Sequence, residues 1–370
     1  MNLLSIKTTC VAVALLSACS VNDQTIMESE HNAIGFHLTG SMAETRATPT
    51  TPSNLTSTDF KVYAFTPDGT AVLGTKDEGP EHNGVLIKHN GEKWDYTTAT
   101  DLRYWPEKPL NFYAVNPGTV SSNMMAHYYW QFTHNSQQIT YTCIDEYSNT
   151  SGESNLDVMY AIAKNQTQST NAGKVKLKFQ HILSQVAFQA KTESDNMQVE
   201  IRDIKIHNFK VGSTFTLPTD ATAAPQQSDW DQSIVSSKWS FIVIKDKNIS
   251  VGSSTTVTDI STTTPMLFIP QKLTKWDTTT KSIEQADTDK ETYLEISCRI
   301  KKDGHYVFGS AGYDTMYVPF GADWEPGKRY VYTLIFGSGY KNTGEPILIR
   351  PIAFEADIED WGVSNNDHAF

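Results

Sequence analysis

Apolar residues in this chain recur at every second position in short runs, and long stretches with helical period are missing. Between Lys174 and Phe179, Val175, Leu177 and Phe179 alternate with Lys174, Lys176 and Lys178. A period of two gives an extended strand one face for a core and one for water. In the run from Asp59 to Phe65, Phe60, Val62 and Ala64 oppose Lys61, Tyr63 and Phe65. Bulk on both faces predicts a strand near the middle of a sandwich. Further strands are predicted around Trp94, over Leu110 to Val115, through Tyr128, Trp130 and Phe132, and over Asp157 to Ala163. The prolines Pro106 and Pro109 cannot donate to a ladder, so they bound a strand instead of entering it.

The second half continues in the same way. From His181 to Ser184 the alternation breaks, which predicts one helical turn before Val186, Phe188 and Ala190 restore it. Val199, Ile201, Ile204 and Ile206 alternate with one slip near Asp203, the signature of a bulge. A hairpin is expected across Lys301 to Gly304, and Pro326-Gly327 suits a type II turn. The strand Arg329 to Phe336 follows, and the last strands cover Ile347 to Ile349 and Ile352 to Ile358, closing at Trp361. The polar, glycine-containing stretch from Lys164 to Gly173 is the expected domain boundary. Many short strands in two runs predict an all-β chain of two tandem β-sandwiches, over residues 47–173 and 174–370.

The N-terminus fixes the compartment. Residues 1–18 hold one cation, Lys7, an apolar run from Cys10 to Leu16, then Ser17 and Ala18 before Cys19. This reads as a secretory signal too short to span a bilayer. Leu16-Ser17-Ala18-Cys19 resembles a bacterial lipobox, which implies cleavage before Cys19 and lipid on its sulfur and new amino group. Several acyl chains, at about 0.8 kcal/mol per buried methylene, anchor stably. The chain carries 42 acidic against 30 basic residues, a formal net charge of −12, which argues against nucleic acid as a partner. Beyond Cys10 and Cys19 the cysteines are Cys143 and Cys298, two buried thiols or one bridge.

Catalytic motifs are missing. The chain has no G-x-S-x-G elbow, no H-E-x-x-H, no P-loop, no G-x-G-x-x-G after a strand and no C-x-x-C. His181 has no partner at metal spacing and reads as structural. Asp287, Asp289 and Glu291 lack the glycine and spacing of a calcium loop and read as a solvated face. Asp357, Glu359 and Asp360 are neighbours at a strand end and seldom meet a common substrate. No enzyme activity, metal or cofactor is expected.

Five segments in order, YWPEKPLNFYAVNP (Tyr104 to Pro117), LDVMYA (Leu156 to Ala161), VKLKFQHILSQVAF (Val175 to Phe188), FIPQKLT (Phe268 to Thr274) and WEPGKRYVYTL (Trp324 to Leu334), resemble the fimbrillin family of Bacteroidales lipoproteins, in its minor-fimbrium-like branch. The resemblance implies Greek-key, transthyretin-like sandwiches and a subunit of a type V pilus, a cell-surface adhesive fimbria on the outer membrane. It also implies a lipid such as palmitate on Cys19 and an arginine-specific protease that removes residues 19–46 by cutting after Arg46. The strand carrying Ile34, Phe36 and Leu38 would then be displaced by a strand of the next subunit, with Ile347, Ile349, Ile352 and Phe354 as the donor candidates. Partners would be other fimbrial subunits and a host or bacterial surface ligand. The residues alone also fit an ordinary edge strand and a surface arginine. The other class of function is a surface lipoprotein that binds glycan without polymerising, through Trp94, Trp105, Tyr128, Tyr129 and Trp130. Sandwich cores also consume such aromatics.

Overall fold

The computed structural model describes residues 33–40, 58–74, 84–119, 129–133, 136–142, 157–233, 240–263, 266–337 and 353–360. Most of these residues are in strands, arranged in several sheets. The first sheet runs in the order Ala71–Leu73, Asp59–Phe65, Val85–His89, Trp94–Tyr96, Gly35–Gly40, Lys174–His181, Met159–Gln166, Leu110–Asn116. Asp59–Phe65 also pairs with Leu110–Asn116, so the sheet closes on itself. Phe60, Val62, Ala64, Phe112, Ala114, Met159 and Ala161 point into the enclosed core.

The same strands use their other face. Tyr63, Phe65, Tyr113, Val115, Tyr160 and Ile162 belong to the core of the second body. Bulk on both faces of Asp59–Phe65 therefore marks a wall between two cores. Tyr129–Thr133, Gln138–Thr142 and Gly212–Thr216 form a small sheet that spans the two bodies. Phe132 packs on Tyr63 at 4.8 Å, and Phe215 on Tyr160 at 5.4 Å.

Two facing sheets build the second body. One holds Thr258–Asp259, Ser184–Thr192, Lys328–Phe336 and Ala353–Asp360 in that order, with Met266–Phe268 also on Ser184–Thr192. The other holds Ser240–Ile244, Met197–His207, Tyr293–Lys302 and His305–Phe308, with Ile249–Val251 and Asp314–Pro319 at its flanks. Register shifts between Ile201 and Asp203, the expected bulge, and this keeps Val199, Ile201, Ile204 and Ile206 all buried. Lys302 and His305 close a hairpin whose central residues Asp303 and Gly304 have φ of 50° and 80°, as a type I′ turn requires.

Two expectations change. Lys174–His181 does not open the second body but pairs antiparallel with Met159–Gln166 in the first sheet. The polar stretch from Lys164 to Gly173 is thus the end of one hairpin strand and the loop that follows it, not a linker. The crossing lies at Ile182 and Leu183, a bend with both side chains fully buried, where a helical turn was expected.

Candidate functional site

Gly35–Gly40 completes the closed sheet although it comes from far upstream of the strand beside it. It runs parallel to Lys174–His181, in register from Gly35 opposite Lys174 to Gly40 opposite Phe179. On its other side it pairs with Trp94–Tyr96 at one position, Phe36 opposite Trp94. Its entry is pinned by the Ile34 amide donating to the Arg103 carbonyl at 2.9 Å and by the Tyr96 hydroxyl donating to the Ile34 carbonyl at 3.0 Å. Burial raises the Tyr96 pKa well above the ordinary tyrosine value, so this hydroxyl stays a neutral donor.

The period of two places Ile34, Phe36 and Leu38 in the core, at 1%, 5% and 6% exposure. Phe36 is the centre of this row, edge-on to Phe60 at 5.9 Å and Phe112 at 6.4 Å, and tilted against Tyr96 at 5.9 Å. Three such side chains hold the strand by about 5 to 9 kcal/mol before ladder bonds are counted. No hairpin clasps it to either neighbour, so it can leave without unthreading the sheet. Its departure would open an apolar slot edged by unpaired main chain.

At the other end of the chain, Ala353–Asp360 lies at a sheet edge, antiparallel to Lys328–Phe336. Phe354, a donor candidate, stands opposite Leu334 in this ladder. Ala353, Glu355, Ala356 and Asp357 are exposed, and Ile358 is 62% exposed although it lies opposite the buried Tyr330. Main-chain bonds and a Lys191–Glu355 ion pair of 2.9 Å hold this strand, while Ala353, Ala356 and Ile358 go uncovered. Cys19, Arg46, Ile347, Ile349 and Ile352 lie outside the described residues.

The other candidates have structural work. His181 is buried with its Nδ1 at 3.1 Å from Asp157. Asp287, Asp289 and Glu291 are not simply solvated: Asp287 accepts from Asn208 at 3.0 Å and Tyr293 at 2.8 Å, and Lys281 binds both Asp289 and Glu291. They tie the short helix Ile283–Asp289, capped by Ser282, to the neighbouring strand. Cys298 is a free thiol in the core, and burial raises its pKa. Trp94 packs on Phe60 and His89, and Trp105 packs on Phe112 while its Nε1 donates to Gly173 at 3.0 Å. Both tryptophans are half-buried, committed to the first core and its rim.

Comparison with known proteins agrees with this architecture. A curated fimbrium subunit, Fim1C of Phocaeicola vulgatus, is 25% identical over 191 residues. That match covers 48% of each chain, so the alignment spans about half the length of this curated relative. The crystal structure of a fimbrial protein from Bacteroides vulgatus superposes with a TM-score of 0.54 at 16% identity, covering 89% of this chain and 99% of that one, which shows a shared β-sandwich fold. The fimbrial anchor protein Mfa2 from Porphyromonas gingivalis aligns over 90% of this chain and 99% of its own, with 10% identity and a TM-score of 0.34. The fimbrillin-like family model matches residues 45–361, most of the sequence, and the chain belongs to that family.

Proposed function

We propose that this protein is a structural subunit of a cell-surface fimbria, delivered as a precursor with lipid on Cys19 and assembled by strand exchange after cleavage at Arg46. The observation that carries the proposal is the placement of Gly35–Gly40, buried on one face yet clasped by no hairpin. While the chain is intact, return of the strand to its slot is intramolecular and outcompetes any neighbour. A cut after Arg46 makes that return bimolecular, and a strand from the next subunit then competes on equal terms. Family membership supports the reading. Other fimbrial subunits are the partners in this reading, and an arginine-specific protease is the trigger.

Purified precursor treated with an arginine-specific protease should lose residues 19–46 and form ladders that resist SDS. Arg46→Ala should stay monomeric under the same treatment. Wild-type protein that is cut after Arg46 and remains monomeric would exclude the mechanism.

A further inference from the structure

The sheet of the second body that holds Met197–His207 and Tyr293–Lys302 turns one face to the core and the other to water. Val199, Ile201, Ile296, Cys298 and Ile300 point inward, so the period of two sends Glu200, Glu295, Ser297, Arg299 and Lys301 outward. Among the described residues, the exposed large aromatic side chains are Tyr104, Tyr306 and Tyr317, and two of the three stand on this outer face. Tyr306 pairs with Lys301 and Tyr317 with Glu295, which sets the two tyrosines about 20 Å apart along the sheet.

Small residues hollow this face. Ser250 and Gly252 leave a cleft of about 380 Å³ walled by Tyr306, Arg299 and Gln198, and Ser297 and Thr315 leave another of about 270 Å³ beside Lys205 and Asp246. Tyr313 joins the two. Its hydroxyl donates to Glu200 of the larger cleft, and its ring meets the guanidinium of Arg299 at 5.0 Å and that of Arg202, from the smaller cleft, at 5.7 Å. The charged groups hold one another in place: Arg299 pairs with Glu200, Arg202 with Asp203 at 3.6 Å and Asp246 at 2.8 Å, and Lys205 with Glu295 at 4.0 Å.

We propose that this face binds a neutral oligosaccharide, laid across both clefts with a sugar ring stacked on Tyr306. Other ligand classes fit less well, each for a separate reason. Cations and carboxylates are paired off across the face, which leaves no field of one sign to draw a polyanion. Both strands of the floor are flanked, by Ser240–Ile244 and Ile249–Val251 on one side and by His305–Phe308 and Asp314–Pro319 on the other, so no main-chain edge is open to a peptide strand. A wholly apolar ligand would strip water from these charges without replacing it. Sugar hydroxyls both donate and accept, which suits guanidinium and carboxylate groups set side by side, and the C–H face of a sugar lies well against a tyrosine ring. Because ion pairs already fix the side chains, little ordering is needed on binding. Lys301 covers one face of Tyr306 at 4.8 Å, but a ring has two faces and the residue is 39% exposed. The site is separate from Trp94 and Trp105, which serve the first core, and it does not depend on strand exchange, since the uncut chain carries it. In a fibre the face would recur with every subunit, and weak single contacts would add up to avidity.

The test is titration calorimetry of the uncut precursor with hexasaccharides of glucose, mannose, galactose and xylose, and with oligogalacturonate as the acidic control. At least one neutral hexasaccharide should bind with a Kd of about 1 mM or tighter. Tyr306→Ala and Arg299→Ala should each weaken that binding at least about tenfold, with circular dichroism confirming that the variants are folded. Tyr306→Phe should keep the affinity within about threefold, and Tyr104→Ala, on the first body, should leave it unchanged. Absence of binding to every neutral hexasaccharide, binding to oligogalacturonate alone, or equal affinity in Tyr306→Ala overturns the assignment. None of these outcomes bears on ladder formation, which is read separately on cut protein.

Discussion

Phe36 is the side chain on which the resident strand depends most. It meets three aromatic rings, whereas His37, next along the chain, is only half-buried on the outward face. Replacing a buried phenylalanine by alanine costs about 3 to 5 kcal/mol, transfer and cavity together. Phe36→Ala in the intact precursor should therefore lower the urea-unfolding free energy by that amount, and His37→Ala should change it by less than about 0.5 kcal/mol. Equal effects from the two variants would show that the strand is not anchored through its inward face. The burial of Ile34, Phe36 and Leu38 was legible in the sequence because a half-buried strand leaves an alternating record. The strand's neighbour was not, because Lys174–His181 lies far away in sequence and alternation does not say which strand stands alongside.

Gly35–Gly40 and Ala353–Asp360 are bound by opposite means. The first is held by buried side chains and one well-made ladder; the second by a ladder in which Ala353, Ala356 and Ile358 are exposed. Ending the chain after residue 337 should thus leave the fold intact and lower its melting temperature by only about 1 to 2 °C, equivalent to about 1 kcal/mol for a chain of this size. Loss of the first strand removes several times more. The truncated subunit, once cut after Arg46, should accept a donor yet give none, and so cap ladders of wild-type protein on a gel. Truncated protein that is unfolded, or that leaves ladder length unchanged, would contradict this division of roles. Local signals such as the slip at Asp203 and Pro326-Gly327 predicted bulge and turn well, since both are set by neighbours in sequence. The sheet to which Lys174–His181 belongs was misjudged for the opposite reason: its parallel partner lies far upstream, and a polar hairpin loop carries the same composition as a linker.

Across the whole molecule, the two bodies share a wall. Tyr63, Tyr113, Tyr160 and Ile162 sit on strands of the first sheet but are buried against the second body. At roughly 1.5 to 3 kcal/mol each, these four side chains couple the bodies by about 6 to 12 kcal/mol, as much as the entire stability of an ordinary domain. Neither body should then persist once the other has unfolded. Equilibrium urea unfolding of the precursor should give one transition, with tryptophan fluorescence and far-ultraviolet circular dichroism coinciding, and a slope that scales with the surface of both bodies together. Two separated midpoints would mean that the shared wall is a weak contact. The coupling bears on assembly, because loss of the first strand from one sheet weakens the second body as well. A cut subunit should unfold at lower urea than the precursor, again in one step, and incorporation into a ladder should move that single transition back up. On the strand-exchange proposal, a donor arriving in the first sheet would thereby stabilise the second body as well.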